Sequence, residues 1–575
     1  MKASDYIAKV LYDNGIDTVF GHLGGFNADI VDSIYGLGKI AYVMNYHEQA
    51  SSFAANAYAL IQGGTAVAMS SGAPSSCNLI AGIANAYFDS IPCVFIVGSV
   101  HSKAVRTSKN IRQNAFEEID MVRLTSDITK LGMRVTNPQD IRYYLEKAFH
   151  TAAQGRPGPV LIDIPYDIAR ADIDPETLKA HNTPQDERYD EINTEKIMHM
   201  LKAAHKPLIL LGGGAKSKKC RREITALLNK VEIPVVASLL GLDVLSHNHK
   251  CFAGFIGHYG NRYANFAVAN CDLLIVIGSR LDERQLAGLK DGFAPDAKII
   301  RVDIDGNELG NKNWNTPDIS MSIRASAEKF LTELLMQNFS GLDYSRWLSL
   351  ISAWQKSYPS LNSNPAEVNA NDFLRTISDY ISDDAIVCAD VGQNQMCTAQ
   401  SMRLDNNRRL LNTGGYGSMG FSLPAAIGAA YAFKDTEILS ISGDGGIQMN
   451  IQELQTIVRD NLPVNIILLN NNCLGMIRRL QEKMFNNRTF ASVQGYSIPD
   501  FSKIATAYGI EYLKIDCPEK YALARNFISS TSPRFVELVL PREIQNIPEP
   551  GASISTQIPL LSDEEFERIK KEAAL

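Results

Sequence analysis

A chain of 575 residues is too long for one hydrophobic core, so several domains are expected. With 45% hydrophobic and 21% charged residues it reads as an ordinary globular protein. A net charge of −7 without any Lys/Arg block argues against nucleic acid as a partner, and no apolar run is long enough to span a bilayer.

The opening stretch "MKASDYIAKVLYDNGIDTVFG" predicts an amphipathic helix followed by a strand, not a signal peptide. Strand candidates follow in "DTVFGHLG", "IAYVMNYHE", "TAVAMSSG", "CVFIVGSV" and "PVLIDIP", which close a first block near residue 170. The polar stretch "DIDPETLKAHNTPQDERYDEINTEK" reads as a linker. A middle block, about 190–340, contains "PLILLGGG", "PVVASLLG", "LLIVIGSR" and "KIIRVDID". A second polar stretch, "KSYPSLNSNPAEVNANDF", leads to a last block, about 370–545. Its strands are "AIVCADVG", "EILSISGDGG", "VNIILLN" and "RFVELVL". Residues 546–575 read as an extended arm before a short charged helix. Strands alternating with helices predict parallel sheets covered by helices, an α/β fold. Periodicity does not decide whether the first and last blocks share one fold. The nine cysteines are scattered and never spaced C-x-x-C. That argues for a reducing compartment, with the cytoplasm expected, and against a disulfide framework or a zinc site.

The stretch "ILSISGDGGIQMN" (438–450) is the most informative. Ile438, Leu439 and Ile441 end a buried strand, and Asp444 places a charge where that strand runs out. The flanking glycines let the backbone bend and let another group approach. From Ile447 the spacing turns helical. A carboxylate beside backbone N–H groups at a strand end suits a phosphate and a cation. A second buried strand, "VNIILLN", ends in Asn470-Asn471-Asn472, and Asn471 lies 27 residues after Asp444. Two neighbouring parallel strands would bring both to one sheet edge, where open α/β sheets bind ligands. One carboxylate, one amide oxygen and a backbone carbonyl suit Mg²⁺ holding a diphosphate. Read singly, a GDG is a turn and an Asn run is a loop.

The span Gly443–Asn471 resembles the thiamine-diphosphate motif: GDG, a helix, then NN closing a strand. The rest of the chain resembles the FAD-containing acetolactate-synthase branch of that family. "DVGQNQM", "GGYGSMGFSLPAAIGAA" and "NNNCLGM" match its cofactor segments. "YHEQASSFAANAYA", "DITK" and "GRPGPVLIDIP" match its N-terminal domain. The resemblance implies three doubly wound parallel-sheet domains: pyrimidine-binding (1–170), central FAD-type (190–340) and diphosphate-binding (370–545), then the tail. It also implies a homodimer or homotetramer with active sites at the subunit interface.

Residue roles follow from the resemblance. Mg²⁺ falls to Asp444, Asn471 and the carbonyl of Cys473. Val391, Gly392, Gln393, Asn394, Gly417, Met419, Gly443, Gly445, Gly446, Leu474, Gly475 and Met476 surround the rest of the cofactor. Met419 is the wedge that keeps the cofactor bent; read alone it is a core methionine. Glu48 is the acid beside the pyrimidine, expected to hold a proton because burial raises a carboxyl pKa. Without the resemblance it reads as a surface Glu opening a helix. Gly212, Gly213, Gly214, Gly278, Arg280, Asp282, Arg284, Asp303 and Ile304 are the positions for FAD, in a non-redox role.

Gly25, Phe26, Phe116, Glu117, Lys130 and Leu480 fall on the substrate side. Several depart from the acetolactate-synthase pattern: Leu480 replaces a Trp, Phe26 a small residue, Glu117 a Gln, and Asp120 a Pro. With the tail "PLLSDEEFERI", these changes resemble a branch of polysaccharide gene clusters similar to the enzyme of yersiniose synthesis. The expected function is a carboligase that moves a two-carbon unit from pyruvate to a carbonyl acceptor, a nucleotide-linked keto sugar. Arg478 and Arg479 would meet its phosphates. The alternatives are an acetolactate synthase, a pyruvate oxidase and a non-catalytic paralogue.

Overall fold

The computed structural model describes residues 1–574 apart from 107, 109, 184–188, 288–291, 312–315, 362–365, 529 and 530. Parts of both expected linkers therefore lie outside the described residues. The opening helix forms over Ala3–Asp13.

Three six-stranded sheets follow one another, and every pairing between named strands is parallel. The first contains β1 (Thr18–Gly21), β2 (Ala41–Met44), β3 (Ala66–Ser70), β4 (Cys93–Ser99), β5 (Leu131–Arg134) and β6 (Pro159–Pro165), in the order β2-β1-β3-β4-β6-β5. The second contains β7 (Pro207–Leu211), β8 (Val235–Ala237), β9 (Phe252–Phe255), β10 (Leu273–Ile277), β11 (Lys298–Asp303) and β12 (Met321–Arg324), in the order β12-β11-β10-β7-β8-β9. The third contains β13 (Ile386–Ala389), β14 (Arg409–Leu411), β15 (Ile438–Gly443), β16 (Val464–Asn470), β17 (Glu511–Ile515) and β18 (Arg534–Val539), in the order β14-β13-β15-β16-β18-β17. Numbered within each sheet, the first and third share one order, 2-1-3-4-6-5. The second has the order 3-2-1-4-5-6 of dinucleotide-binding folds. Periodicity left the kinship of first and last blocks open; strand order settles it.

Helices cover both faces of the central strands, which is why β3, β4, β6, β7, β10 and β16 are buried along their whole length. The first and third sheets are joined through two small-residue helices, Glu48–Gln62 and Ser422–Ala432, within one apolar cluster. A Cβ on Gly428 would lie 2.1 Å from the Ala54 carbonyl oxygen, so only glycine permits this approach. Phe53 meets Phe421 edge to face at 5.6 Å. The tail crosses back to the middle domain. Gln557 donates to the Gly260 carbonyl at 2.9 Å, and the terminal helix Asp563–Ala573 accepts the Trp354 indole N–H on Glu572 at 3.0 Å.

Candidate active site

β15 and β16 pair in register, Ser442 opposite Leu468 and Gly443 opposite Leu469. Asp444 and the Asn470–Asn472 run are therefore neighbours at the carboxyl edge of the third sheet. Each asparagine has its own task. Asn470 donates to Glu537 at 2.5 Å and accepts the Asn472 N–H at 3.0 Å, closing the turn. Asn472 takes a left-handed φ of 50°, which Asn tolerates better than most residues. Asn471 donates its amide N–H to Gln393 at 2.9 Å, which leaves its side-chain oxygen as the acceptor.

Beside them opens a cavity of about 280 Å³. All fifteen cofactor and metal positions expected in the last block line it, from Val391 through Asp444 to Met476. Its wall is a glycine cradle. A Cβ on Gly475 would fall 1.8 Å from the Gln393 side-chain oxygen, and one on Gly445 2.7 Å from Leu474. Asp444 is 2% exposed. Its Oδ1 accepts the Gly445 N–H at 2.8 Å, while Oδ2 is buried without a partner. Burial pushes its pKa up to about 6. An orphaned carboxylate oxygen, an amide oxygen and a bend of backbone carbonyls form a hard oxygen set, which fits Mg²⁺ and a diphosphate. Burial raises the Cys473 thiol to about 11, so this sulfur stays protonated, and a role for the residue runs through its carbonyl.

Sequence reasoning missed two supports of this edge. Asp390 is fully buried and accepts the N–H groups of Val391 (2.8 Å), Gly420 (2.9 Å) and Ser422 (3.0 Å), which ties the loop carrying Gly417 and Met419 to β13. Glu453, also fully buried, accepts Asn45 (2.9 Å) and the N–H groups of Tyr46 (2.8 Å) and His47 (3.1 Å). It thereby fixes the turn just before Glu48. The available signal was an acid embedded in an apolar run.

Glu48 opens the helix after β2 and is 7% exposed. Burial pushes its pKa up, but the Ser75 hydroxyl and the Asn78 amide, which donates at 2.9 Å, outweigh it. The net shift is downward, which corrects the expected rise: two polar neighbours favour the ionised form. Among the described residues, none from 1–170 lines the Asp444 cavity, so Glu48 and Asp444 sit apart within one chain.

A second cavity, about 360 Å³, lies where the three domains meet. Gly213, Gly214, Gly278, Arg280, Asp282, Arg284, Asp303 and Ile304 line it. Gly212 does not; it is a spacer whose Cβ would fall 2.1 Å from the Gly278 oxygen. Burial raises the Asp303 carboxyl, which accepts the Asp305 N–H at 2.9 Å. The first block adds Phe88, Asp89 and Arg156, which sequence reasoning missed. Arg284 and Met396 line both cavities, so they form a shared wall.

The substrate-side residues are not brought to either cavity. Phe26 packs over Gly72 and stacks on Tyr166 at 5.8 Å, and Gly25 precedes it. Phe116 is 81% exposed, and Glu117 has a left-handed φ of 61°. Lys130 donates to the Gln154 carbonyl at 2.6 Å and lays its stem over Gly158, so its ammonium points to a helix end. Leu480 is on the exposed face of the helix Gly475–Met484. Arg478 and Arg479 correct a further expectation. Arg478 is held by Glu482 at 2.6 Å and the Ile544 carbonyl at 2.9 Å. Arg479 pairs with both oxygens of Glu549, at 2.7 and 2.9 Å. Neither is set to bind a sugar-linked phosphate.

Three family models match in order. The thiamine pyrophosphate enzyme N-terminal TPP binding domain matches residues 1–124, the central domain 194–334, and the C-terminal TPP binding domain 390–538. Similar proteins include the acetolactate synthase large subunit of Parasynechococcus marenigrum, 34% identical over 97% of this chain and 91% of the relative. That of Haemophilus influenzae is 34% identical over 90% of this chain and 91% of its own. The acetolactate synthase isozyme 2 large subunit of Escherichia coli is 32% identical over 98% of this chain and all of its own. With three domains matched in sequence and two cavities built from the expected segments, the chain belongs to the thiamine pyrophosphate (thiamine diphosphate) enzymes, in their acetolactate-synthase-like branch.

Proposed function

We propose that the protein decarboxylates pyruvate and joins the remaining two-carbon unit to a second 2-oxo acid, as an acetolactate synthase. The observation that carries the reading is the orphaned Asp444 oxygen beside Asn471 in a glycine cradle. Thiamine diphosphate, when bound there with Mg²⁺, supplies a carbon nucleophile and a sink for the charge left by loss of CO₂. The chain supplies the rest. Asp444, Asn471 and the Cys473 carbonyl hold the cation, and the cradle admits the diphosphate. Met419 fills the bend of the cofactor. Glu48 exchanges a proton with the aminopyrimidine. Because none of the described residues from 1–170 lines the cavity, we assign that Glu48 to a second copy of the chain, in a homodimer or homotetramer. The second cavity takes FAD in a non-redox role, with the Gly213-Gly214 turn and Arg280 at its wall.

The acceptor reading changes from the one expected at first. The nucleotide-linked keto sugar was expected from the altered acceptor-side residues and the tail, with Arg478 and Arg479 for its phosphates, and both arginines are taken up by Glu482, Glu549 and a backbone carbonyl. The similar proteins bear the name acetolactate synthase. Steady-state rates with pyruvate alone, then with a nucleotide-4-keto sugar added, test the reading. Fast acetolactate formation without competition from the sugar is expected. Slow acetolactate formation with rapid sugar consumption would restore the earlier acceptor. Anaerobic bleaching of bound flavin by pyruvate would instead mark an oxidase.

A further inference from the structure

Tyr496 stands in the loop between the helix Gly475–Met484 and the helix Phe501–Ala507. No motif marks it. The loop is firmly held over the metal turn. The Leu474 N–H donates to the Ser492 carbonyl at 3.0 Å, the Val493 N–H to the Thr489 carbonyl at 2.9 Å, and the Tyr496 N–H to the Val493 carbonyl at 3.2 Å. Gln481 donates to the Phe490 carbonyl at 3.0 Å and accepts the Ser492 hydroxyl. This scaffold directs the Tyr496 ring inward. Its hydroxyl is buried, and it lies 3.3 Å from where a Cβ on Gly445 would sit. It approaches the Asp444 carboxyl without completing a hydrogen bond to it.

Two buried polar atoms are thus orphaned at one point: the Tyr496 hydroxyl and Asp444 Oδ2. Buried polar groups are almost always paired, and leaving one unpaired costs its full desolvation. Two such atoms side by side, one an anionic acceptor and one a donor, are both satisfied by a cation and an oxygen on that cation. We infer that Tyr496 belongs to the metal–diphosphate site, its hydroxyl donating to an oxygen carried by the cation that Asp444 binds. That oxygen is either a cation-bound water or a diphosphate oxygen. The inference rests on the cofactor reading above. Tyr496 touches the cation's ligands and serves to position them.

The test is Tyr496→Phe, which keeps the ring and removes only the hydroxyl. Mg²⁺-dependent binding of thiamine diphosphate is measured by calorimetry, and melting is followed with and without both ligands. The variant should bind about tenfold more weakly, the scale of one hydrogen bond to a charged group. Its ligand-induced rise in Tm should shrink. Without ligands its Tm should be unchanged or higher, because an unpaired hydroxyl contributes nothing to the fold. Equal affinity in both proteins overturns the inference. So does a loss of ligand-free stability or of folding, which would make Tyr496 a packing residue. Mn²⁺ binding without the cofactor separates the two oxygen sources: weakening there marks the water, and weakening only with cofactor present marks the diphosphate. A wild-type chain that binds no Mg²⁺–thiamine diphosphate overturns the cofactor reading as well. A wild type that binds beside a variant that binds equally well overturns Tyr496 alone.

Discussion

In the first sheet the acid at the carboxyl edge is Glu48, which accepts the Asn78 amide at 2.9 Å and is shifted below its ordinary pKa. In the third sheet, with the same strand order, it is Asp444, which keeps one oxygen unpaired and is pushed up to about 6. One architecture therefore supports two opposite electrostatic states. The neighbours decide which. The 3₁₀ turn Ser75–Leu79 lies close enough to lend Glu48 side-chain donors. Asp444 has glycines around it, which leave room, and its Oδ2 is left without a partner even with the Tyr496 hydroxyl beside it. The first edge gives its acid a side-chain donor, while the third leaves one carboxylate oxygen unpaired.

The sharpest way to break the comparison is to neutralise each acid. Glu48→Gln should lower pyruvate turnover by about 10²–10⁴-fold, the range for a general acid–base group, with Mg²⁺–thiamine diphosphate affinity nearly unchanged. Near-normal turnover would end its catalytic assignment. The variant should also lose a little stability above pH 4.5. A lowered carboxyl pKa adds stability above the unfolded value, and that stability is lost as the pH falls through the folded value. Asp444→Asn should do the reverse at neutral pH. It removes a buried, half-satisfied charge, so the ligand-free Tm should rise while Mg²⁺-dependent cofactor binding weakens by about a hundredfold or more. A ligand-free Tm that falls would contradict the orphaned oxygen.

A smaller effect lies at the seam between the two sheets. Gly428→Ala drives a Cβ to 2.1 Å from the Ala54 oxygen, and neither backbone can yield without moving its helix. The cost should be about 1–3 kcal/mol in denaturant unfolding, typical of overpacking. Stability within about 0.5 kcal/mol of wild type would show that the seam is looser than these distances state.

The same contrast explains what was legible in the sequence. Buried central strands read clearly because helices cover both faces and the residues are continuously apolar. The strands that reading passed over, β5, β9, β12, β14 and β17, are all at sheet edges. They are short, and β5, β12 and β17 are partly exposed, so their apolar signal is broken. Asp444 and Asn471 were legible because each motif is contiguous and placed at a strand end. Asp390, Glu453 and Tyr496 were not, because telling partners lie far along the chain: Asp390 holds Gly420 and Ser422, 30 and 32 residues on, and Glu453 meets Asn45, 408 residues away. Lys130, Arg478 and Arg479 show the converse. A resemblance supplies a position but not the carbonyl or glutamate that takes up the side chain.

The smallest effect concerns the other seam, between the middle and third domains, which holds a buried imidazole. His247 accepts the Leu404 N–H on Nδ1 at 3.2 Å and donates from Nε2 to the Leu242 carbonyl at 3.0 Å. Its ring stacks on Phe252 at 4.0 Å. These bonds fix the neutral tautomer, since a proton on Nδ1 would face an N–H group. Burial pushes its pKa down to about 4, with Arg403 and Arg375 adding to the fall and Asp243 opposing it. Between about pH 6.5 and 4 the unfolded chain therefore binds a proton that the folded chain refuses. Stability must fall as the pH drops through that window. Urea unfolding at pH 7, 5.5 and 4.5 should show a steeper loss for wild type than for His247→Gln, which has no proton to gain. Gly428→Ala should shift every point equally and leave the wild-type slope intact. Identical slopes for wild type and His247→Gln would mean that the ring is solvated and that acid opens this seam no sooner than the other.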